Sequence, residues 1–247
     1  MRAEGVNQIV DIHNHVLFGL DDGARTLEES IEMIKNAKTQ GIDVIVATPH
    51  LNHYQFSYDL SDLKKNYRKI QQKIIQEKLD ILLILSHEIF LTIDFYEKYT
   101  MDELFPILTN KDEKKILVEL PSYEVPYYFK EFIIQTAQKN MTCIWAHPER
   151  NAVIQNNWKK IFEFVDKNRL EIQITAGSLL GNYGKKSKKI AWKLLKTGVV
   201  DYVASDAHNL TSRPFELDKA YKMIHKKMGM DFLVELQKKA ETIAIKN

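Results

Sequence analysis

Asp11-Ile12-His13-Asn14-His15 near one end of the chain and Ser205-Asp206-Ala207-His208 near the other decide the fold. Each follows a short apolar, β-branched run and ends in histidine and acid. The same form recurs between them. Thr48-Pro49-His50 ends the run at 43–48, and His87-Glu88 follows the run at 81–86. Glu119 lies in the run at 116–120, and Ala146-His147-Pro148-Glu149-Arg150 ends the run at 142–146. Thr175-Ala176-Gly177-Ser178 ends the run at 171–175. With 8–13 and 201–205 this predicts seven strands. Most are continuous apolar runs, as strands of a buried parallel sheet are.

Amphipathic stretches separate them. Helices are predicted over 26–40, 60–78, 130–140, 158–168, 185–197, 216–228 and 232–242. Thr26 and Glu29 have the spacing of a capping box, and Gly41 closes that helix. Leu60, Leu63, Tyr67, Ile70 and Ile74 share one face of the next. Strand–helix alternation without a linker or repeat predicts a single parallel α/β domain over 1–247. In α/β barrels functional groups collect at the C-terminal strand ends. A seven-stranded (β/α)7 TIM-like barrel would bring the ends of strands one and seven together. An open sheet would not do so as easily.

Composition narrows the chemistry. The 247 residues are 45% apolar, enough for a sizeable core, with 35 Lys+Arg against 33 Asp+Glu. A net charge of +2 gives no sign of a generic nucleic-acid or membrane-surface binder. No signal peptide or membrane-length apolar run is present, so a soluble, cytoplasmic protein is expected. The one cysteine, Cys143, excludes an internal disulfide framework and thiolate-rich metal sites. Any metal must be held by carboxylates and the eight histidines.

His13 and His15 are two apart on an extended segment, so both side chains point to one side. Such a pair can chelate, and imidazole with carboxylate suits manganese, iron or zinc. A carboxylate such as Glu88 can bridge two ions, which then activate a shared hydroxide for in-line attack on phosphorus. Arg150 and Arg213 can grip a phosphoryl group bidentately. A lone histidine at a strand end is usually a satisfied polar residue, but five such motifs in register make that reading improbable. Glu119 alone also fits an ion-pair partner, and Asp22 alone a turn residue in Asp21-Asp22-Gly23. Cys143 to Arg150 is Cys-x6-Arg rather than the Cys-x5-Arg of thiolate phosphatases, and Cys143 lies inside a predicted strand. It reads as packing. His53 reads as a cleft residue or a surface-loop residue, His87 as packing and His225 as exposed. Lys185, Lys186, Lys188 and Lys189, and Lys222, Lys226 and Lys227, read as a solvated face or as a dock for an acidic kinase tail.

These motifs resemble the PHP (polymerase and histidinol phosphatase) superfamily. Within it they are similar to bacterial manganese-dependent protein-tyrosine phosphatases of the CpsB/YwqE kind, associated with capsule and exopolysaccharide synthesis. Leu20-Asp21-Asp22-Gly23-Ala24, Ala146-His147-Pro148-Glu149-Arg150 and Ala204-Ser205-Asp206-Ala207-His208-Asn209 carry most of the specificity. The resemblance implies a distorted seven-stranded barrel with three divalent ions. His13, His15, Glu88 and Asp206 would hold one. Glu88, Glu119 and His147 would hold the second, and Asp22, His50 and His208 the third. Three divalent ions against four carboxylates and one hydroxide leave a small positive surplus, which suits a phosphate dianion.

The implied activity is hydrolysis of phosphotyrosine by metal-bound hydroxide on a protein substrate, the tail of a membrane-associated bacterial tyrosine kinase. Two alternatives remain. One is another PHP phosphoesterase, acting on histidinol phosphate or a different small phosphomonoester. The other is a metal-bound scaffold without turnover. Two departures stand out: Ser86-His87 precedes Glu88 where relatives tend to have Gly-Gln or Gly-Ala, and Phe90 stands where some carry arginine.

Overall fold

Among the described residues ten strands form, all parallel to their neighbours except one. They are β1 (Val10–Asn14), β2 (Val44–Ala47), β3 (His50–Leu51), β4 (Leu82–Leu85), β5 (Glu88–Phe90), β6 (Ile107–Leu108), β7 (Lys114–Glu119), β8 (Met141–Ala146), β9 (Leu170–Thr175) and β10 (Tyr202–Ala204). The computed structural model describes residues 1–165 and 169–243. Every predicted strand is present, and the second and third are each followed, after a break, by a short strand that was not predicted, β3 and β5. Pro49, which has no N–H to donate, lies in the first break, and Ser86-His87 forms the second.

The breaks move the pairing from one sheet to another. β1, β2 and β4 form a three-stranded sheet, and β3, β5, β7, β8, β9 and β10 run side by side in a second. β6 pairs antiparallel with β7. Chain continuity links the sheets twice, from β2 to β3 and from β4 to β5. The far edges also meet. The Asp206 N–H donates to the His13 carbonyl and the His15 N–H to the Ala207 carbonyl, both at 2.8 Å. The strands thus form two mainly parallel sheets, and no closed sheet joins them among the described residues. The ends of the first and last predicted strands still lie against each other.

Nine α-helices flank the sheets among the described residues: α1 (Leu27–Thr39), α2 (Leu60–Gln76), α3 (Phe95–Lys98), α4 (Phe129–Gln138), α5 (Ala152–Asn156), α6 (Ala176–Leu180), α7 (Gly184–Lys196), α8 (Leu217–Met228) and α9 (Met230–Glu241). In α1 the Glu29 N–H donates to the Thr26 hydroxyl, as the capping box predicts. The Glu29 carboxylate, however, accepts from the Arg25 N–H instead of closing the box. In α2 Leu63, Ile70 and Ile74 are buried, as their spacing requires. The helix predicted over 158–168 is a 3-10 helix, Trp158–Glu163, and residues 166–168 lie outside those described.

Two apolar clusters follow from strand alternation. Ile116, Val118, Ile172 and Ile174 face the helices in the larger one. Ile12, Val46, Leu117, Ile144 and Ala204 form a smaller one, with Ala240 and Ile243 also in it. Lys115, Glu119, Glu171, Gln173 and Thr175 alternate with the helix-facing residues on β7 and β9. The register between β1 and β2 shifts between Asp11 and Asn14, at the approach to His13 and His15. No helix among the described residues is long and apolar enough to cross a membrane.

Candidate metal centre

All nine predicted ligands come together at the C-terminal strand ends. The His13 and His15 rings lie 5.4 Å apart, with their Nε2 atoms 3.3 Å from each other. Both Nε2 atoms lie within 3.4 Å of Glu88 Oε2 and Asp206 Oδ1. His147 Nε2 is 2.8 Å from Glu88 Oε1 and 4.0 Å from Glu119 Oε1. Asp22 Oδ1 lies 3.3 Å from His208 Nε2 and 3.5 Å from His50 Nε2.

Three overlapping sets could each hold an ion: His13, His15 and Glu88; His50, Glu88 and Glu119; and His15, Asp22, His50 and His208. Glu88 is shared by two, as a bridging carboxylate would be. His50 and His15 also serve two sets each, a wider sharing than the one-ion assignment from resemblance. All are buried except Glu119, which is half-buried, and Asp22, which is exposed.

The donor set fits divalent ions on an observation of its own. His50 Nδ1, Glu88 Oε2, Glu119 Oε2 and His208 Nε2 are buried and none is in a well-aligned hydrogen bond, although His50 Nδ1 and Glu88 Oε2 face each other at 3.0 Å. Buried polar atoms cost free energy unless something pairs them well, and here four converge in one space.

Charge crowding shifts the titrations strongly. Burial would raise Glu88, but His13 and His50 hold it far below the usual carboxylate range. Burial and the Glu88 charge push Glu119 up to about 7. Burial, with the Arg150 charge, takes His147 down to about 4. His50 goes the other way, to about 10, because the Glu88 charge outweighs its burial.

Local structure explains the placement. His147 and Asp206, at the ends of β8 and β10, have φ of 35° and 54°. Such left-handed backbone is costly away from glycine and clusters at functional sites. Gly23 lets the Asp21–Asp22 loop lie on His15, since a Cβ there would collide with the His15 carbonyl oxygen and Cβ.

A supporting ring of residues was not predicted. Asp21 Oδ2 lies 2.7 Å from His15 Nδ1 and accepts the His50 N–H at 3.0 Å. Gln173 Oε1 lies 3.0 Å from His13 Nδ1. Asp11 accepts from the Ser205 hydroxyl and N–H at 2.6 and 2.7 Å, tying the two halves of the opening motif together. Glu149 accepts from the Thr175 hydroxyl at 3.0 Å. Asp11, Asp21 and Glu149 lie inside the quoted motifs, so adjacency was the available signal. For Gln173 there was none.

Both predicted arginines reach the centre. Arg150 donates to Asp206 Oδ2 at 2.6 Å, and Arg213 donates to the same oxygen at 3.0 Å and to Asp22 at 3.2 Å. Arg213 Nε is buried without a partner. The Arg150 guanidinium lies 4.5 Å over the Tyr183 ring, and the Tyr183 side chain also reaches Arg213.

Of the other residues weighed from sequence, His225 is half-buried on α8 rather than exposed. Cys143 is fully buried and its thiol is pushed up by burial, so it is packing. His87 is buried against Phe105, and burial alone takes it down to about 3. His53 is half-buried, lies 4.8 Å from the His50 ring and packs on Phe56 and edge-on to Phe90.

Parallel sheets that gather imidazoles, carboxylates and two arginines at one end, with no thiolate among them, define a metal-centred α/β hydrolase. The chain belongs to the CpsB/CapC family of capsular polysaccharide synthesis, whose model matches residues 9–245. It is 35% identical over 213 residues to a putative tyrosine-protein phosphatase CapC of Staphylococcus aureus, covering 86% of this chain and 82% of the relative. It also matches a crystal structure from work on YwqE of Bacillus subtilis and CpsB of Streptococcus pneumoniae, described as unique metal-dependent tyrosine phosphatases. That match has a TM-score of 0.86 and 31% identity, covering 95% of this chain and 94% of the other. An amidohydrolase from Mycoplasma synoviae shares the fold alone, at TM-score 0.54 and 15% identity over 95% of this chain and 87% of the other.

Proposed function

We propose that this chain is a metal-dependent protein-tyrosine phosphatase, a phosphoric monoester hydrolase whose two sheets act together as a distorted seven-stranded barrel. The observation that carries the reading is the convergence of buried ligand atoms of His50, Glu88, Glu119 and His208, none of them in a well-aligned hydrogen bond, beside the buried Nε of Arg213. The names of the relatives supply the substrate class. His13, His15, Glu88 and Asp206 would hold one ion, Glu88, Glu119 and His147 a second, and Asp22, His50 and His208 a third, with manganese as the resident metal and iron or zinc able to replace it. Bound divalent ions supply Lewis acidity and hydroxide at neutral pH.

The chain's own groups do the rest. Arg150, on the short 3-10 helix Pro148–Arg150, and Arg213, on a loop, converge on one oxygen of Asp206, which brings the two guanidinium groups to one place beside the ligands. There they bind and orient the equatorial phosphoryl oxygens and offset their charge. Asp21 and Gln173 fix the ring orientation of His15 and His13 through the nitrogens that face away from the centre. Tyrosine's phenol, with a pKa of about 10, leaves more readily than an alkyl alcohol, so protonation of the leaving group matters less.

The proposed substrate is the phosphorylated tail of a membrane-associated bacterial tyrosine kinase, met in the cytoplasm, where the kinase finds its ATP. The test is turnover of a phosphotyrosine peptide beside histidinol phosphate after chelation and metal add-back. The expected outcome is loss of activity on chelation, restoration by manganese, and preference for the peptide. Cys143→Ala is expected to retain full activity. Preference for histidinol phosphate would move the chain to the other branch of the superfamily. Activity that survives chelation but is lost in Cys143→Ala would sink the metal reading.

A further inference from the structure

Helix α7 carries six lysines and no acid. Among the described residues, none of the six makes an ion pair with a carboxylate. Other helices differ: Lys35 meets Glu32 in α1, Lys73 meets Glu77 from α2, Lys98 meets Asp94 beside α3, Lys222 meets Asp218 in α8, and Lys239 of α9 meets Glu171. In α7 Lys186 and Lys188 instead donate to Asn156 Oδ1 and the Leu180 carbonyl, each at 2.9 Å, and Lys193 lies over Trp158. Lys185, Lys189 and Lys196 are exposed. Like charges three and four residues apart work against a helix, and among the described residues no carboxylate pairs with them. Lys227 of α8 extends the patch, 4.2 Å over Trp192. Together Lys189, Trp192, Lys193, Lys196 and Lys227 line a groove of about 270 Å³.

The patch has a definite beginning. Tyr183 immediately precedes α7 and lies under Arg150, so the stripe of lysines starts beside the arginines that face the metal centre. At a rise of 1.5 Å per residue, Lys185 to Lys196 spans roughly 16 Å. An extended polypeptide covers that distance in about five residues.

We propose that this face docks an acidic stretch of the phosphotyrosine-bearing polypeptide and so selects which protein is dephosphorylated. The inference rests on the phosphatase reading above. A stripe one helix wide, leading away from the phosphate-binding arginines, fits a polypeptide. An anionic lipid surface would be met by exposed apolar residues among the lysines, and here Trp192 is buried.

The experiment compares the wild-type chain with the triple variant Lys185→Gln, Lys189→Gln, Lys196→Gln, loaded with manganese. Substrates are a phosphotyrosine peptide with an acidic flank, the same peptide with a neutral flank, and a small aryl phosphate. The expected result is a rise of about fivefold in KM for the acidic peptide alone, with a weaker salt dependence, since exposed pairs contribute little each and add across a network. The corresponding Lys→Arg triple variant restores the wild-type KM. Equal change on all three substrates, or none on the acidic peptide, overturns the proposal. So does loss of binding to phosphatidylserine vesicles in the glutamine variant with the acidic-peptide KM unchanged. If the wild type turns over no aryl phosphate, the phosphatase reading fails by itself. Anisotropy of the unphosphorylated acidic peptide then still reads the docking face, and equal binding by wild type and variant overturns it.

Discussion

Tyr183 stands behind both arginines, its ring under Arg150 and its side chain against Arg213. Gly177 makes room for it: a Cβ there would come within 2.8 Å of the Tyr183 ring. Removing the hydroxyl alone should loosen Arg213 and leave the stack on Arg150. Tyr183→Phe is therefore expected to lower kcat/KM on a small aryl phosphate by roughly tenfold, the equivalent of about 1.4 kcal/mol. Tyr183→Ala, which also removes a cation–π contact of about 0.5–2 kcal/mol, should cost more. Steady-state kinetics with and without excess manganese check this. A loss that excess manganese repairs would place Tyr183 in ion binding rather than arginine positioning. At this scale the metal ligands were legible because histidine and acid recur after apolar runs. Tyr183 and Gln173 were not, because their partners lie far away along the chain, and nothing local distinguishes them from ordinary polar residues.

Among the elements, the loop Asp21-Asp22-Gly23 does more than its turn composition suggests. Asp21 holds both His15 and the His50 backbone, and the Ala24 N–H donates to the His15 carbonyl at 3.1 Å. The loop is pressed against β1, which leaves no space for a side chain at position 23. Gly23→Ala is expected to push Asp21 and Asp22 away from His15 and His50. Manganese titration of activity should then show the half-saturating concentration raised by about 10- to 100-fold, the usual cost of disturbing a ligand's supporting contacts. The chelated protein should also lose thermal stability, because the added Cβ collides with the His15 backbone. An unchanged manganese requirement would show that the loop adapts. Strand and helix positions were largely legible from apolar periodicity and glycine ends. The breaks at Thr48-Pro49 and Ser86-His87 were not, since each run continues apolar and polar character across the kink. Proline alone did not reveal that pairing passes from β2–β4 to β3–β5.

For the whole molecule, the end opposite the metal centre carries its own buried charges. Lys115 and Glu171, both 4% exposed, pair at 2.7 Å, and Lys239 and the Tyr202 hydroxyl also reach Glu171, at 2.8 and 2.9 Å. In α/β barrels that end serves stability, and the apolar residues between it and the ligands separate the two charge clusters. Burial would raise Glu171, but Lys115 and Lys239 overcome it and hold its carboxyl below the ordinary value. A depressed carboxylate stabilises the fold above its unfolded pKa of about 4.3, and that contribution fades as pH falls from there through the folded value. Glu171→Gln leaves Lys115 buried with only the exposed Glu113 carboxylate, 3.9 Å away, to offset its charge. It should destabilise the chelated protein by about 3–5 kcal/mol at pH 7, as breaking one partner of a buried pair does. The gap to wild type should narrow as pH drops below about 4.3, because the wild-type carboxyl then takes up its proton and comes to resemble the amide. Denaturant unfolding of both proteins between neutral and acid pH measures this. A gap that stays constant across the titration would mean that shape, not charge, sets the contribution of Glu171. The seven-run alternation made the parallel architecture legible, whereas this cluster was hidden in the strands, because Lys115, Glu171 and Tyr202 meet only when β7, β9 and β10 have come side by side.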